Sequence, residues 1–199
     1  MTVDRSNPSP HWRSLIERAL REAAGDPSAH HVQMATMTPG GRPANRTVVF
    51  RGFIAGTDWL CFVTDGRSQK AQHVQSQPWG EVCWYLAASQ QQFRLAGELA
   101  LVSGDETDAA LQQARRAAWT ALSDRTRRQF FWPESLLPRA KPAAFEVAAP
   151  DGAQPPATFC LLVLRPTQVD HLDVGSYPHR RTVYRLQAPG RWSQETVNP

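Results

Sequence analysis

Lysine is nearly missing. Only Lys70 and Lys141 occur, so arginine carries almost all of the positive charge. Arginine suits planar, bidentate recognition of phosphate or carboxylate. Cysteine is scarce too: Cys61, Cys83 and Cys160 are odd in number and lie in apolar, strand-like runs. They show no metal-ligand spacing, which points to buried free thiols. No apolar run is long enough to cross a bilayer. Met1 to His11 has no basic-then-apolar leader pattern, so the expected location is cytoplasmic. The net charge of +4, from 22 Lys plus Arg against 18 Asp plus Glu, is too small and too scattered for a nucleic-acid binder. No internal repeat is visible.

The 199 residues, 41% of them hydrophobic, suffice for a single domain over 1–199 with its own core. Trp12 to Ala24 has helical periodicity, stopped by Gly25-Asp26-Pro27. His31 to Met37 reads as a strand; the His30-His31 pair at its start is not assigned a metal role. Glu81 to Ala87 and Gln90 to Val102 read as two more strands. The second sets Phe93, Leu95, Gly97 and Leu99 on one face and Gln92, Arg94, Ala96 and Glu98 on the other. Asp105 to Leu122 and Asp124 to Trp132 are expected to be helical, with Asp105 and Glu106 in the first turn. Residues 133–157, rich in Pro and Ala, read as a long loop, either a lid or simply mobile. Strands are then expected at Thr158 to Leu164, Gln168 to Val174, Arg180 to Leu186 and Arg191 to Val197. Roughly nine short strands with turn signals favour an antiparallel barrel or sandwich over a parallel sheet.

The centre of the chain is residues 46–70. Val48, Val49, Phe50, Phe53 and Ile54 form one β-prone run, Phe62 and Val63 another, and Gly56-Thr57-Asp58 joins them as a hairpin turn. Asp65-Gly66 is a turn, Ser68 is a helix N-cap, and a short helix runs to about Gln75. Free N–H groups at that helix start, beside Arg67 and Lys70, make a site for a phosphate dianion.

Several short patterns fit together here: Arg46-x-Val-x-x-Arg51, Phe62-Val-Thr64-Asp-x-x-Ser68-x-Lys70, Gln92-x-Arg94-x-x-Gly97, and His179-x-Arg181-x-x-Tyr184 with Trp192 to Asn198-Pro199. They resemble the pyridoxamine 5′-phosphate oxidase-like FMN-binding proteins, over about residues 30–103 and 158–199. The resemblance is to the larger group with a Phe131-Trp132-Pro133 segment after the middle helices. It implies a mainly β fold with flanking helices, an antiparallel split β-barrel. It also implies a homodimer with FMN between the subunits. By position, Arg46, Ser68, Gln69 and Lys70 would hold the phosphate. Val48, Val63 and Thr64 would face the flavin or ribityl chain, with Thr47 and Arg51 also close to the cofactor. Gln92 and Arg181 would reach the flavin from the partner chain or the barrel rim.

Departures from the family pattern bear on the substrate. Gln69 stands where the true oxidase has Arg, Tyr177 replaces an arginine of its substrate pair while His179 remains, and His171 replaces a flavin-packing tryptophan. The Tyr, Arg and Ser of its middle-helix substrate site have no counterpart in residues 119–132. A regular strand would also put Arg46 and Arg51 on opposite faces, so either a bulge intervenes or they touch different parts of the ligand. The leading expectation is an FMN-dependent oxidoreductase acting on a small molecule, with His179 and Tyr177 as substrate contacts. The alternatives are a flavin-binding or sensing protein without turnover, a true pyridoxamine or pyridoxine 5′-phosphate oxidase, and a haem-binding split barrel using His171 or His73.

Overall fold

A computed structural model describes residues 11–199. Its centre is one curled antiparallel sheet. The strands are β1 (His31–Met37), β2 (Pro43–Val49), β3 (Gly52–Phe53), β4 (Leu60–Asp65), β5 (Trp79–Leu86), β6 (Gln91–Val102), β7 (Phe159–Asp173), β8 (Arg180–Ala188) and β9 (Arg191–Val197). The order is β2-β1-β5-β6-β7-β4-β3, with β8 and β9 continuing from the far half of β7. This is the mainly β split barrel that the sequence suggests.

The continuous β-prone run at 46–54 is in fact two strands. β2 pairs with β1 at one edge of the sheet, and β3 pairs with β4 at the other. The chain crosses between the edges at Phe50-Arg51: the Phe50 N–H donates to His30 O and the Arg51 N–H to Cys61 O, both at 2.8 Å. Gly52, at φ +122°, takes a backbone conformation that a side chain would strain. The same step answers the parity question over Arg46 and Arg51: Arg46 is on β2, while Arg51 lies in the crossing between β2 and β3.

The two strands expected at 158–164 and 168–174 are one long β7. Its pairing with β6 slips between Ala96 and Gly97, opposite Pro166. Pro166 lacks an N–H for the ladder, and the bulge absorbs the defect. A Cβ on Gly97 would lie 2.0 Å from the Arg165 carbonyl oxygen. Gly97 is therefore required by this close approach of two backbones.

Helix α1 (His11–Glu22) lays Trp12, Leu15, Ile16 and Ala19 on the main core, which fills the inside of the curl with Val32, Met34, Phe62, Trp84, Phe93, Leu95 and Leu162. Helix α2 (Gln69–Ser76) adds Val74 to the same core. Helix α3 (Ala109–Thr120) covers the outer face of β4 and β7, where Cys61, Leu161 and Val163 meet Leu111. β7 is thus buried on both faces, which explains its unbroken apolar run from Phe159 to Leu164. The expected start of α3 at Asp105 is too early, because Asp108 caps it, accepting from the Ala110 and Leu111 N–H groups. Helix α4 (Asp124–Arg128) ends sooner than expected and gives way to a 3₁₀ turn over Gln129–Phe131.

The loop at 133–157 is tied to α3 near its end. Trp119 Nε1 donates to Asp151 O at 2.9 Å, and buried Arg115 donates to Pro156 O and Phe159 O, each at 3.0 Å. Those anchors oppose the lid-like reading for its C-terminal part. Cys61 and Cys160 are buried as expected; Cys83 is only partly buried, on the outer face of β5. Among the described residues no helix is long and apolar enough to cross a membrane.

Candidate functional site

Three positively charged or titratable groups, Arg46, Lys70 and His73, meet at the end of the curl that α2 closes. β2 turns Arg46 to the inner face, opposite Met34, and pairs Ala44 with Thr36. The Arg46 guanidinium donates through Nη1 alone to Met34 O (3.1 Å), Thr36 Oγ1 (2.7 Å) and Ala44 O (2.9 Å). Its other edge is outside these bonds. Lys70, in the first turn of α2, donates to Thr64 Oγ1 at 3.1 Å and Ser68 Oγ at 3.4 Å. His73, one turn on, shares a hydrogen bond with Thr36 Oγ1 at 3.0 Å.

The electrostatics of this end are lopsided. Burial and the neighbouring Arg46 charge both push Lys70 below the usual ammonium range, with Asp65 a smaller opposing influence. Burial, then Arg46, lowers His73 as well. Burial also lowers Arg46. Among the described residues no recorded ion pair ends on Arg46, Arg51 or Lys70. Cations packed together with no carboxylate between them leave room for a bound anion. Ser68 adds to this. It sits at the N-cap position of α2 with an extended backbone, yet its hydroxyl makes no capping bond and instead meets Thr64 Oγ1 at 3.1 Å. The first N–H groups of α2 are left for an acceptor from outside, as a phosphate would be.

Not every sequence-derived site residue joins this cluster. Arg67 does not: it binds Asp65 through two nitrogens, at 2.6–3.2 Å, and donates to Trp132 O at 3.1 Å. Gln69 is exposed beside the helix start. Val48 is buried on the inner face, and Thr47 is exposed on the opposite one. Val63 packs its side chain under α3 with Ala118, on the other side of β4 from the cluster. Arg51 is exposed at the edge-to-edge crossing, and burial of its surroundings lowers its pKa.

Gln92 and Arg181 lie elsewhere, on the outer face of β6 and β8, both opposite Leu172. Arg181 is held by Asp170. His171 points the other way, stacked on Phe93 with ring centroids 4.5 Å apart and bonded to Gln91 Oε1 at 3.1 Å. It is therefore not on the face that carries Arg181. Neither His171 nor His73 is open to bind a haem iron; each ring is buried or stacked and already bonded. Tyr177 is 99% exposed on the β7–β8 loop, and His179 donates from Nδ1 to Ser176 O at 2.9 Å. Sequence reasoning missed Thr36. A polar residue at an inward position of an otherwise apolar strand was the available signal.

A curled antiparallel half-barrel whose helix-capped end carries an unneutralised cation cluster is the build of a split-barrel flavin-nucleotide protein. Comparison with known proteins gives the same class. Residues 9–103 match the family model described as pyridoxamine 5′-phosphate oxidase, FMN-binding domain. A protein of Arabidopsis thaliana named pyridoxine/pyridoxamine 5′-phosphate oxidase 2 is 33% identical over 94% of this chain and 96% of its own length. A crystal structure of a pyridoxamine 5′-phosphate oxidase-related, FMN-binding protein from Nostoc punctiforme superposes with a TM-score of 0.92 at 46% identity, over 96% of this chain and all of the other. PhzG from Burkholderia lata, at 18% identity and a TM-score of 0.77 over the whole of this chain, shares the fold. The chain belongs to the pyridoxamine 5′-phosphate oxidase family of FMN-binding proteins, and FMN is its cofactor.

The residues present fit that group. A phosphate near two negative charges matches Arg46, Lys70, the Ser68 and Thr64 hydroxyls and the open start of α2.

Proposed function

We propose that this chain is an FMN-dependent oxidoreductase acting on a small molecule, working as a homodimer with the flavin between subunits. The observation that carries the reading is the Arg46–Lys70 pair, brought together beside the start of α2 with no carboxylate ion-paired to either among the described residues. Bound FMN supplies hydride and electron transfer. The chain's own groups bind and orient it: Arg46, Ser68, Lys70 and the α2 N–H groups take the phosphate, and Val48 and Thr64 border the ribityl side. Gln69 is exposed beside the start of α2, whereas Thr47 lies on the opposite face of β2 and Arg51 at the crossing between the sheet edges, so these three are the weaker cofactor contacts. Arg181 and Gln92, on the outer sheet face, are the groups a partner subunit would bring to the flavin ring. A positive charge there would stabilise the electron-rich reduced ring.

Two features support the dimer. Arg181 and Gln92 lie on a different sheet face from the phosphate end, so one chain alone offers an incomplete ring site. Tyr85 and Trp79, on the neighbouring strand, are more than half exposed and suit burial against another protein surface. The single nine-stranded sheet supports reading the chain as one domain.

Tyr177 and His179 are the proposed substrate contacts. The names of the relatives favour a phosphorylated B6 vitamer as substrate; Tyr177, lacking a cationic group, favours another small molecule. The test is direct. Purified protein should carry or take up FMN and show an oxidised-flavin spectrum. Anaerobic mixing with NADH, NADPH, pyridoxamine 5′-phosphate or pyridoxine 5′-phosphate then reads out which donor bleaches it. Protein that takes up no FMN in excess overturns the proposal. Rapid bleaching by either B6 phosphate would make the vitamer the substrate. Flavin uptake with no bleaching by any donor in a wide panel would favour a carrier or sensor.

A further inference from the structure

Two polar side chains are buried together inside the curl at the end that α2 closes. There Thr36 is 1% exposed and His73 7% exposed. Valine fills the same space as threonine and would be the ordinary choice for such a position. A buried hydroxyl persists only where it is bonded. Thr36 Oγ1 is bonded on both sides: Arg46 Nη1 donates to it at 2.7 Å, and His73 Nδ1 shares a hydrogen bond with it at 3.0 Å.

We infer that Thr36 and His73 are positioning residues, a hydroxyl–imidazole brace between β1 and α2 that sets Arg46 and Lys70 on a single phosphate group. The inference rests on the phosphate reading above and adds two residues to it. Nη1 of Arg46 has two hydrogens and three acceptors around it. That corner of the guanidinium is saturated, so its rotation is fixed and the opposite edge is the one left for a ligand. Lys70 and His73 lie one turn apart on α2, so the bond from His73 to β1 also sets how near Lys70 comes to Arg46. Two cations held side by side repel in the empty protein. A brace that keeps them there serves a dianion, whose binding offsets the repulsion.

The test compares FMN with riboflavin, which lacks the phosphate, in fluorescence titrations of wild type, Thr36→Val, Thr36→Ser and His73→Gln. Losing a bond to a charged group, Thr36→Val should raise the FMN Kd roughly tenfold. It should leave riboflavin binding nearly unchanged, and Thr36→Ser should bind FMN much like wild type. A Thr36→Val protein that weakens both ligands alike would show general loosening and overturn the brace, as would one that leaves FMN untouched. Should Thr36→Val fail to fold, His73→Gln is read by the same criterion. A wild type that binds FMN no more tightly than riboflavin would overturn the phosphate site itself, a separate failure.

Discussion

Asp170 takes Arg181 in a two-point grip across β7 and β8, with Nε to Oδ1 at 2.9 Å and Nη2 to Oδ2 at 2.6 Å. Arg94 stands 3.8 Å from the same carboxylate and binds Glu81 at 2.7 Å. Charges of alternating sign thus run over four adjacent strands. Such a forked pair fixes the direction of a guanidinium as well as its place. The hydrogen bonds to Asp170, the largest influence, keep Arg181 above even the usual guanidinium range. Asp170→Asn should therefore weaken FMN several-fold while the preference for FMN over riboflavin stays. Arg181→Gln should do the same, and the double variant should be no worse than either. Additive losses in a titration would count against a shared action.

Lys70→Ala removes a half-buried ammonium from the phosphate end. Loss of one charge-assisted bond costs about 1.5–3 kcal/mol, or roughly 10- to 100-fold in Kd. Full flavin occupancy after dialysis of this variant would contradict the assignment.

Gly97→Ala should destabilise the fold without touching the ligand. The added carbon would meet backbone, which cannot rotate aside. Overpacking of this kind costs about 1–3 kcal/mol, and in a chain of this size a melting point should fall by roughly 3–10 °C. An unchanged melt would mean that the β6–β7 bulge can open.

Acid should loosen the end under α1. Burial, the largest influence, drives His171 down to about 4 from an ordinary 6.5. The folded value lies below the unfolded one, so this group's contribution is full above about pH 6.5 and is lost as pH falls toward 4. After allowance for partial exposure the loss is on the order of 1–2 kcal/mol. Urea midpoints at pH 7 and pH 4.5 should converge in His171→Leu relative to wild type; parallel shifts would place the acid sensitivity elsewhere.

Homodimerisation is checked by light scattering of the flavin-loaded protein. A monomer that still holds FMN tightly would rule out a shared ring site.

The cluster at the start of α2 was legible in the sequence because its parts are local. Arg46, Thr64, Ser68 and Lys70 lie within a short stretch whose turns at Gly56-Thr57-Asp58 and Asp65-Gly66 fall where the residue types suggest. The helix start at Ser68 was read from the same signals, although the hydroxyl serves Thr64 rather than the cap. What failed was whatever depended on distant partners. Arg67 looked free until Asp65 and the Trp132 carbonyl came into place. A strand break at Phe50 has no local signal before Gly52, because two β-prone runs on opposite sheet edges look like one. A gap was expected between Leu164 and Gln168, yet a bulge opposite Pro166 lets β7 continue. Thr36 was passed over since only its neighbours on β2 and α2 reveal what it touches.

The strand that carries Thr64 waits on a late arrival. Leu60 pairs with Leu164 and Thr64 with Cys160. During synthesis, therefore, Arg46 and Lys70 leave the ribosome long before the neighbour that holds their wall upright. Contacts so far apart along a chain form slowly. A truncated polypeptide ending before β7 would own nearly every group that grips the nucleotide tail and still have no firm surface on which to present them.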